Sequence, residues 1–95
     1  MVTGNLAVAN DNTGISLEGA AVIKGNDASS NKVGIDVTGS IGGGSTLIGS
    51  IANRNSQIGL RVSCPSTLSD NMAVNNGTNL VLNGTGCKKE QNVAP

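Results

Sequence analysis

Apolar residues in this chain alternate over short distances and then stop. Ile15-Ser16-Leu17, Ile35-Asp36-Val37, Leu60-Arg61-Val62 and Leu80-Val81-Leu82 each run inward, outward, inward, the period of two that a strand imposes. A Gly or Asn interrupts the pattern roughly every five residues, which disfavours helix and marks turns. The pattern predicts short strands separated by tight corners.

The strands recur. Four segments align: VTGNLAVANDNTGISLEG, AVIKGNDASSNKVGIDVTG, TLIGSIANRNSQIGLRVSC and TLSDNMAVNNGTNLVLNG. Val2, Ile23, Leu47 and Leu68 share a column, as do Ile15, Ile35, Leu60 and Leu80, and Leu17, Val37, Val62 and Leu82. Ala7, Ala28, Ala52 and Ala73 form another, with steps of 21, 24 and 21 residues. The glycine-rich stretch Gly39 to Gly44 accounts for the long step, an insertion confined to one turn. Units of this length, holding two or three short strands with one inward column each, describe coils of a β-solenoid stacked in parallel about 4.8 Å apart. Two polar columns mark the corners: Asn5, Asn26, Ser50 and Asn71, and the unbroken set Asn10, Asn31, Asn55 and Asn76. Asparagine tolerates the left-handed backbone of a sharp corner, and a stacked amide can hydrogen-bond its counterparts above and below as an asparagine ladder. The simpler alternative is a turn residue that the repeat places four times.

The phrases GNLAVAN, GNDASSN, GSIANRN and DNMAVNN, followed by TGISL, VGIDV, IGLRV and TNLVL, carry a further observation. This pattern, G-N-x-A-x-x-N and then G-I-x-V, resembles the repeat of right-handed parallel β-helix proteins, the pectin-lyase-like superfamily. The resemblance implies an all-β fold, a right-handed parallel β-helix (β-solenoid) of about four coils over residues 1–87, with a C-terminal tail over 88–95. The superfamily holds polysaccharide lyases and hydrolases, phage tailspikes, adhesins and secreted proteins, so it implies a fold more sharply than an activity.

Composition narrows the chemistry. The chain has no Phe, Trp, Tyr or His, and its six basic residues balance six acidic ones. A nucleic-acid partner is therefore not expected, since there is neither a basic face nor an aromatic to stack on bases. Imidazole catalysis and histidine metal ligands are excluded. No apolar run approaches a membrane span and no signal-peptide pattern opens the chain, so no membrane partner is expected; no cofactor or metal is expected either.

Candidate site residues lie on the best-defined strand column. Its outward positions are Ser16, Asp36, Arg61 and Val81, with Glu18, Thr38, Ser63 and Asn83 beside them. Stacking places Asp36 next to Arg61, with Glu18 nearby. Lyases of the resembled family use carboxylates on such a face to hold calcium and a basic residue to take a proton, which makes Glu18, Asp36 and Arg61 the catalytic candidates. A glycosidase needs two carboxylates about 5–10 Å apart. The competing expectation is an ordinary cross-strand ion pair.

Cys64 and Cys87 fall near one corner on adjacent coils. Either a disulfide closing a loop of about 22 residues or two unpaired thiols fits that placement, and a bridge favours an extracellular or periplasmic setting. The stretch Gly39 to Gly44 lacks the Lys and Ser/Thr of a phosphate-binding loop and reads as a corner insertion. Thr46 and Thr67 head adjacent coils, too short an array for ice binding, and the Asn-Gly-Thr triplets at Asn76 and Asn83 read as corners. The C-terminal end carries Lys88, Lys89 and Glu90, whereas Met1-Val2 begins directly in a strand column, so a homo-oligomer through end-coil or side-face contacts is expected. The reading as a whole is a non-catalytic β-helical structural or interaction module, for surface carbohydrate or self-assembly. The alternative is a polysaccharide-active lyase or hydrolase.

Overall fold

Each predicted run of alternating residues is a strand, and the Asn columns mark corners, whereas Gly14, Gly34 and Gly59 lie within strands. The computed structural model describes residues 1–38 and 44–95. Its strands are β1 (Val2–Thr3), β2 (Leu6–Val8), β3 (Thr13–Glu18), β4 (Val22–Lys24), β5 (Asp27–Ser29), β6 (Val33–Thr38), β7 (Thr46–Ile48), β8 (Ile58–Ser63), β9 (Thr67–Ser69), β10 (Thr78–Asn83) and β11 (Lys88–Glu90). All paired strands run parallel. They form a five-stranded sheet in the order β1-β4-β7-β9-β11 and a four-stranded sheet in the order β10-β8-β6-β3. A narrow third sheet pairs β2 with β5 and continues through single bridges, Asp27 to Ile51, Ile51 to Met72 and Met72 to Val93. The chain is thus a parallel β-solenoid of about four coils.

Register follows the repeat. Ile23 lies over Val2, Leu47 over Ile23 and Leu68 over Leu47 on the five-stranded sheet. Ile15, Ile35, Leu60 and Leu80 align on the four-stranded sheet, and so do Leu17, Val37, Val62 and Leu82. In the middle coils these side chains are at most 1% exposed, and each buried aliphatic contributes roughly 1.5–3 kcal/mol. The narrow sheet turns inward only alanines: Ala28, Ala52 and Ala73 are fully buried. Corner residues Asn26 and Asn31 flank its three-residue strand β5.

Winding continues past Cys87. The segment expected as a tail places β11 beside β9, puts Lys89 over Leu68 and bridges Val93 to Met72, which begins a fifth coil. Of the Gly39 to Gly44 insertion, only Gly44 lies within the described residues; its N–H donates to the Pro65 carbonyl.

The residue before each corner Asn or Ser has positive φ. Gly25 has φ 63° before Asn26, and Ser30 has φ 60° before Asn31. A β-carbon at Gly25 meets nothing within 4 Å, so only its backbone conformation resists substitution. Gly34 is different. A β-carbon there lies 2.6 Å from the Gly59 carbonyl oxygen and 2.7 Å from Asn55 Nδ2, because the amide of the next coil fills that space. Gly25→Ala is expected to cost about 1 kcal/mol through left-handed strain, and Gly34→Ala about 3 kcal/mol through overpacking. Urea unfolding of both variants checks this, and equal losses would reject the assignment of two different causes.

Candidate functional site

The outer face of the four-stranded sheet carries the residues singled out from the sequence. Ser16 pairs with Asp36, Asp36 with Arg61 and Arg61 with Val81, one residue per coil. Arg61 Nη2 donates to Asp36 Oδ2 at 2.5 Å, and the two form an ion pair. The Asp36 side chain is 10% exposed and that of Arg61 32%. The hydrogen bond it donates to Asp36 raises the Arg61 guanidinium above its ordinary value, desolvation opposing and the Asp36 charge assisting. Asp36 Oδ1 and Arg61 Nε are buried and have no hydrogen-bond partner among the described residues.

Glu18 stands apart. It pairs with Thr38, two residues along the strand from Asp36, and is exposed at the end of β3. The structure therefore brings Asp36 and Arg61 into contact and leaves Glu18 on a diagonal. A carboxylate clamped by a guanidinium is a poor proton acceptor, and a guanidinium clamped by a carboxylate cannot act as a base.

The corner asparagines are engaged along the solenoid axis. Asn10 donates its backbone N–H to Asn31 Oδ1 at 2.9 Å, Asn31 to Asn55 Oδ1 at 2.9 Å and Asn55 to Asn76 Oδ1 at 2.8 Å. In return Asn31 Nδ2 donates to the Ala7 carbonyl, Asn55 Nδ2 to that of Ala28 and Asn76 Nδ2 to that of Ala52. The other corner works alike, with Asn26 bonded to Ser50 Oγ, Ser50 to Asn71 Oδ1 and Asn71 to Asn92 Oδ1. These corner residues satisfy backbone groups that no strand partner reaches.

Sequence reasoning missed three features. Ser45 and Ser66 form a polar column at the third corner: the Ala21 N–H donates to Ser45 Oγ, and the Ser45 N–H to Ser66 Oγ. Asn92 extends the first asparagine column into the fifth coil. Asn79 stands level with Gly59, where the other coils carry glycine, and its Oδ1 accepts both the N–H and Nδ2 of Asn76 at 3.1 and 3.0 Å. It supplies from within coil four what the next coil supplies elsewhere. The break from VGI and IGL to TNL was the signal for it.

The remaining candidates are quickly placed. Cys64 and Cys87 are bridged, with Cα atoms 5.0 Å apart and a sequence separation of 23, so the bond encircles coil four and ties β11 to the end of β8. Thr46 and Thr67 are neighbours with Val22 below them. The Asn76 side chain is occupied within its corner, while Asn83 is exposed at the end of β10. A polar cleft on the second corner is lined by Asn10, Asp11, Ser30, Lys32, Arg54 and Ser56. Among the described residues no group of three or more His, Cys, Asp or Glu is placed to hold a metal ion. Among the described residues no helix is long and apolar enough to cross a membrane.

Fold and site together define an all-β parallel solenoid whose polar columns are spent on its own corners. No protein-family model, curated protein or solved structure matches the chain.

The corners and the bridge carry three expectations for stability. Asn55→Ala leaves the buried Asn31 N–H and Ala28 carbonyl without partners and is expected to cost about 2–4 kcal/mol. Asn10→Ala at the exposed end coil is expected to cost less than about 1 kcal/mol. Replacing both Cys64 and Cys87 by Ser reopens the loop and is expected to cost about 3 kcal/mol. Denaturant midpoints measure all three, and a neutral Asn55→Ala would show that the corner amides do not hold the coils.

Proposed function

We propose that the chain is a non-catalytic interaction module on a right-handed, pectin-lyase-like parallel β-helix, working in an extracellular or periplasmic setting. The observation that carries this reading is an outward column on the narrow sheet. Leu6, Ile51, Met72 and Val93 stand in register there and are 72%, 38%, 41% and 50% exposed, with only Asp27 breaking the series. Val8, on the next outward position of β2, adds to it at 47%. Solvent-facing positions of a soluble sheet are ordinarily polar, and a contiguous apolar strip marks a contact surface. Its partners are further copies of the chain and the carbohydrate of a surface; the Cys64–Cys87 bond suits an oxidising compartment.

Mutual neutralisation of Asp36 and Arg61 supports the non-catalytic part. Incubation with uronate-containing and neutral polysaccharides is expected to release no unsaturated or reducing ends above background, with wild type and Asp36→Asn indistinguishable. Cleavage that disappears in Asp36→Asn would overturn the reading in favour of a polysaccharide-active enzyme.

A further inference from the structure

We propose that the outer face of the narrow sheet is a self-recognition surface, joining two copies in an antiparallel, two-fold pair with coil one of each over coil four of the other. The proposal deepens the reading above and rests on it. Its basis is the order of side chains along that face. Coil one presents Leu6 and Val8, and coil four presents Met72 and Val74. Between them coil two carries Asp27 and Ser29, and coil three carries Ile51 and Asn53 with Arg54 at the adjoining corner, while Val93 follows Met72 in the same column. The only salt bridge among the described residues is that of Asp36 with Arg61, so Asp27 and Arg54 are free of ion pairs there.

Turning one copy over about a two-fold axis between coils two and three matches this order to itself. Leu6 and Val8 meet the Met72 and Val74 of the second copy, and coil two meets coil three. Asp27 of each copy then lies within the reach of an arginine side chain from Arg54 of the other, so one ion pair is formed twice. Three residues across and four coils high, the face covers far less than the roughly 800 Å² per partner of a standard stable interface. Association is therefore weak, half complete in the range of about 0.1–1 mM.

Sedimentation equilibrium of the oxidised full chain, from about 10 µM to about 2 mM, tests the proposal. The wild-type mass is expected to rise from 9.4 kDa toward twice that value. Leu6→Glu and Met72→Glu, both at exposed positions, are each expected to weaken association at least tenfold with unchanged circular dichroism. Asp27→Arg and Arg54→Asp are each expected to weaken it about tenfold, and the double charge exchange to restore it. A wild type that stays at 9.4 kDa throughout, or charge variants without effect, overturns the proposal. So does a pair that survives both Glu substitutions, which would place the contact on the end coils. A monomer that cleaves no polysaccharide overturns this pairing alone, whereas Asp36-dependent cleavage overturns the functional reading beneath it.

Discussion

A chain that turns sharply leaves backbone groups that no neighbouring strand can meet. At two corners of each coil the residue entering the corner is left-handed, and the next N–H points along the solenoid axis. A side chain from the following coil must accept that proton and, in the same corner, donate to a carbonyl of the coil below. Asparagine carries an acceptor and a donor at the right separation, which is why Asn31, Asn55 and Asn71 are at most 3% exposed although they are polar. Other features are consequences. The amide needs room, so the residue level with it on the adjacent strand is Gly14, Gly34 or Gly59. It needs constant spacing, so coil length is fixed except where an insertion can loop away.

Serine at position 50 shows how far this requirement bends. Its shorter hydroxyl still accepts the Asn26 N–H, at 3.3 Å rather than the 2.9 Å seen where Asn71 accepts from Ser50. The contact is longer, and the column remains continuous. Asn79 shows the opposite adjustment. At Asn76 the accepting oxygen comes from Asn79 of the same coil, at the position that is glycine in the other coils. That substitution satisfies Asn76 without a neighbouring coil, and Lys89, standing over Leu68 in an otherwise aliphatic column, adds a charge at the same end.

Much of this was legible in the sequence because a repeat reports each constraint several times. Columns of Ile, Leu, Val and Ala gave strand register, and counting along them put Asp36 beside Arg61. Glu18 was harder to place, since one coil of height and two residues along the strand separate it from Asp36. The start of a fifth coil was obscured because Lys89 occupies a site held elsewhere by Val, Ile or Leu, so hydrophobic matching stopped one turn early. The serine corner was hidden for a related reason: with Ala21 in the same column, Ser45 and Ser66 look like ordinary turn residues. The outward apolar column is harder to read from the sequence, because Asp27 and Ser29 interrupt it in coil two.

Exposure of Leu6, Ile51, Met72 and Val93 is not an overflow from the core. The narrow sheet has alanine on its inner side, so no larger residue could be accommodated there by facing the other way. Nor does the backbone demand aliphatics outside, since coil two fulfils the same geometry with Asp27 and Ser29. Water around four aliphatic side chains is a free-energy cost that a Ser or Thr at each position would avoid. An independent soluble solenoid gains nothing from it, whereas one that covers the strip with a partner recovers the burial. The four-stranded face, by contrast, holds its one close charge pair internally neutralised, and the axial column is closed on itself by amides. The narrow sheet is where the outward side chains of this fold depart furthest from the polar pattern of a water-facing sheet.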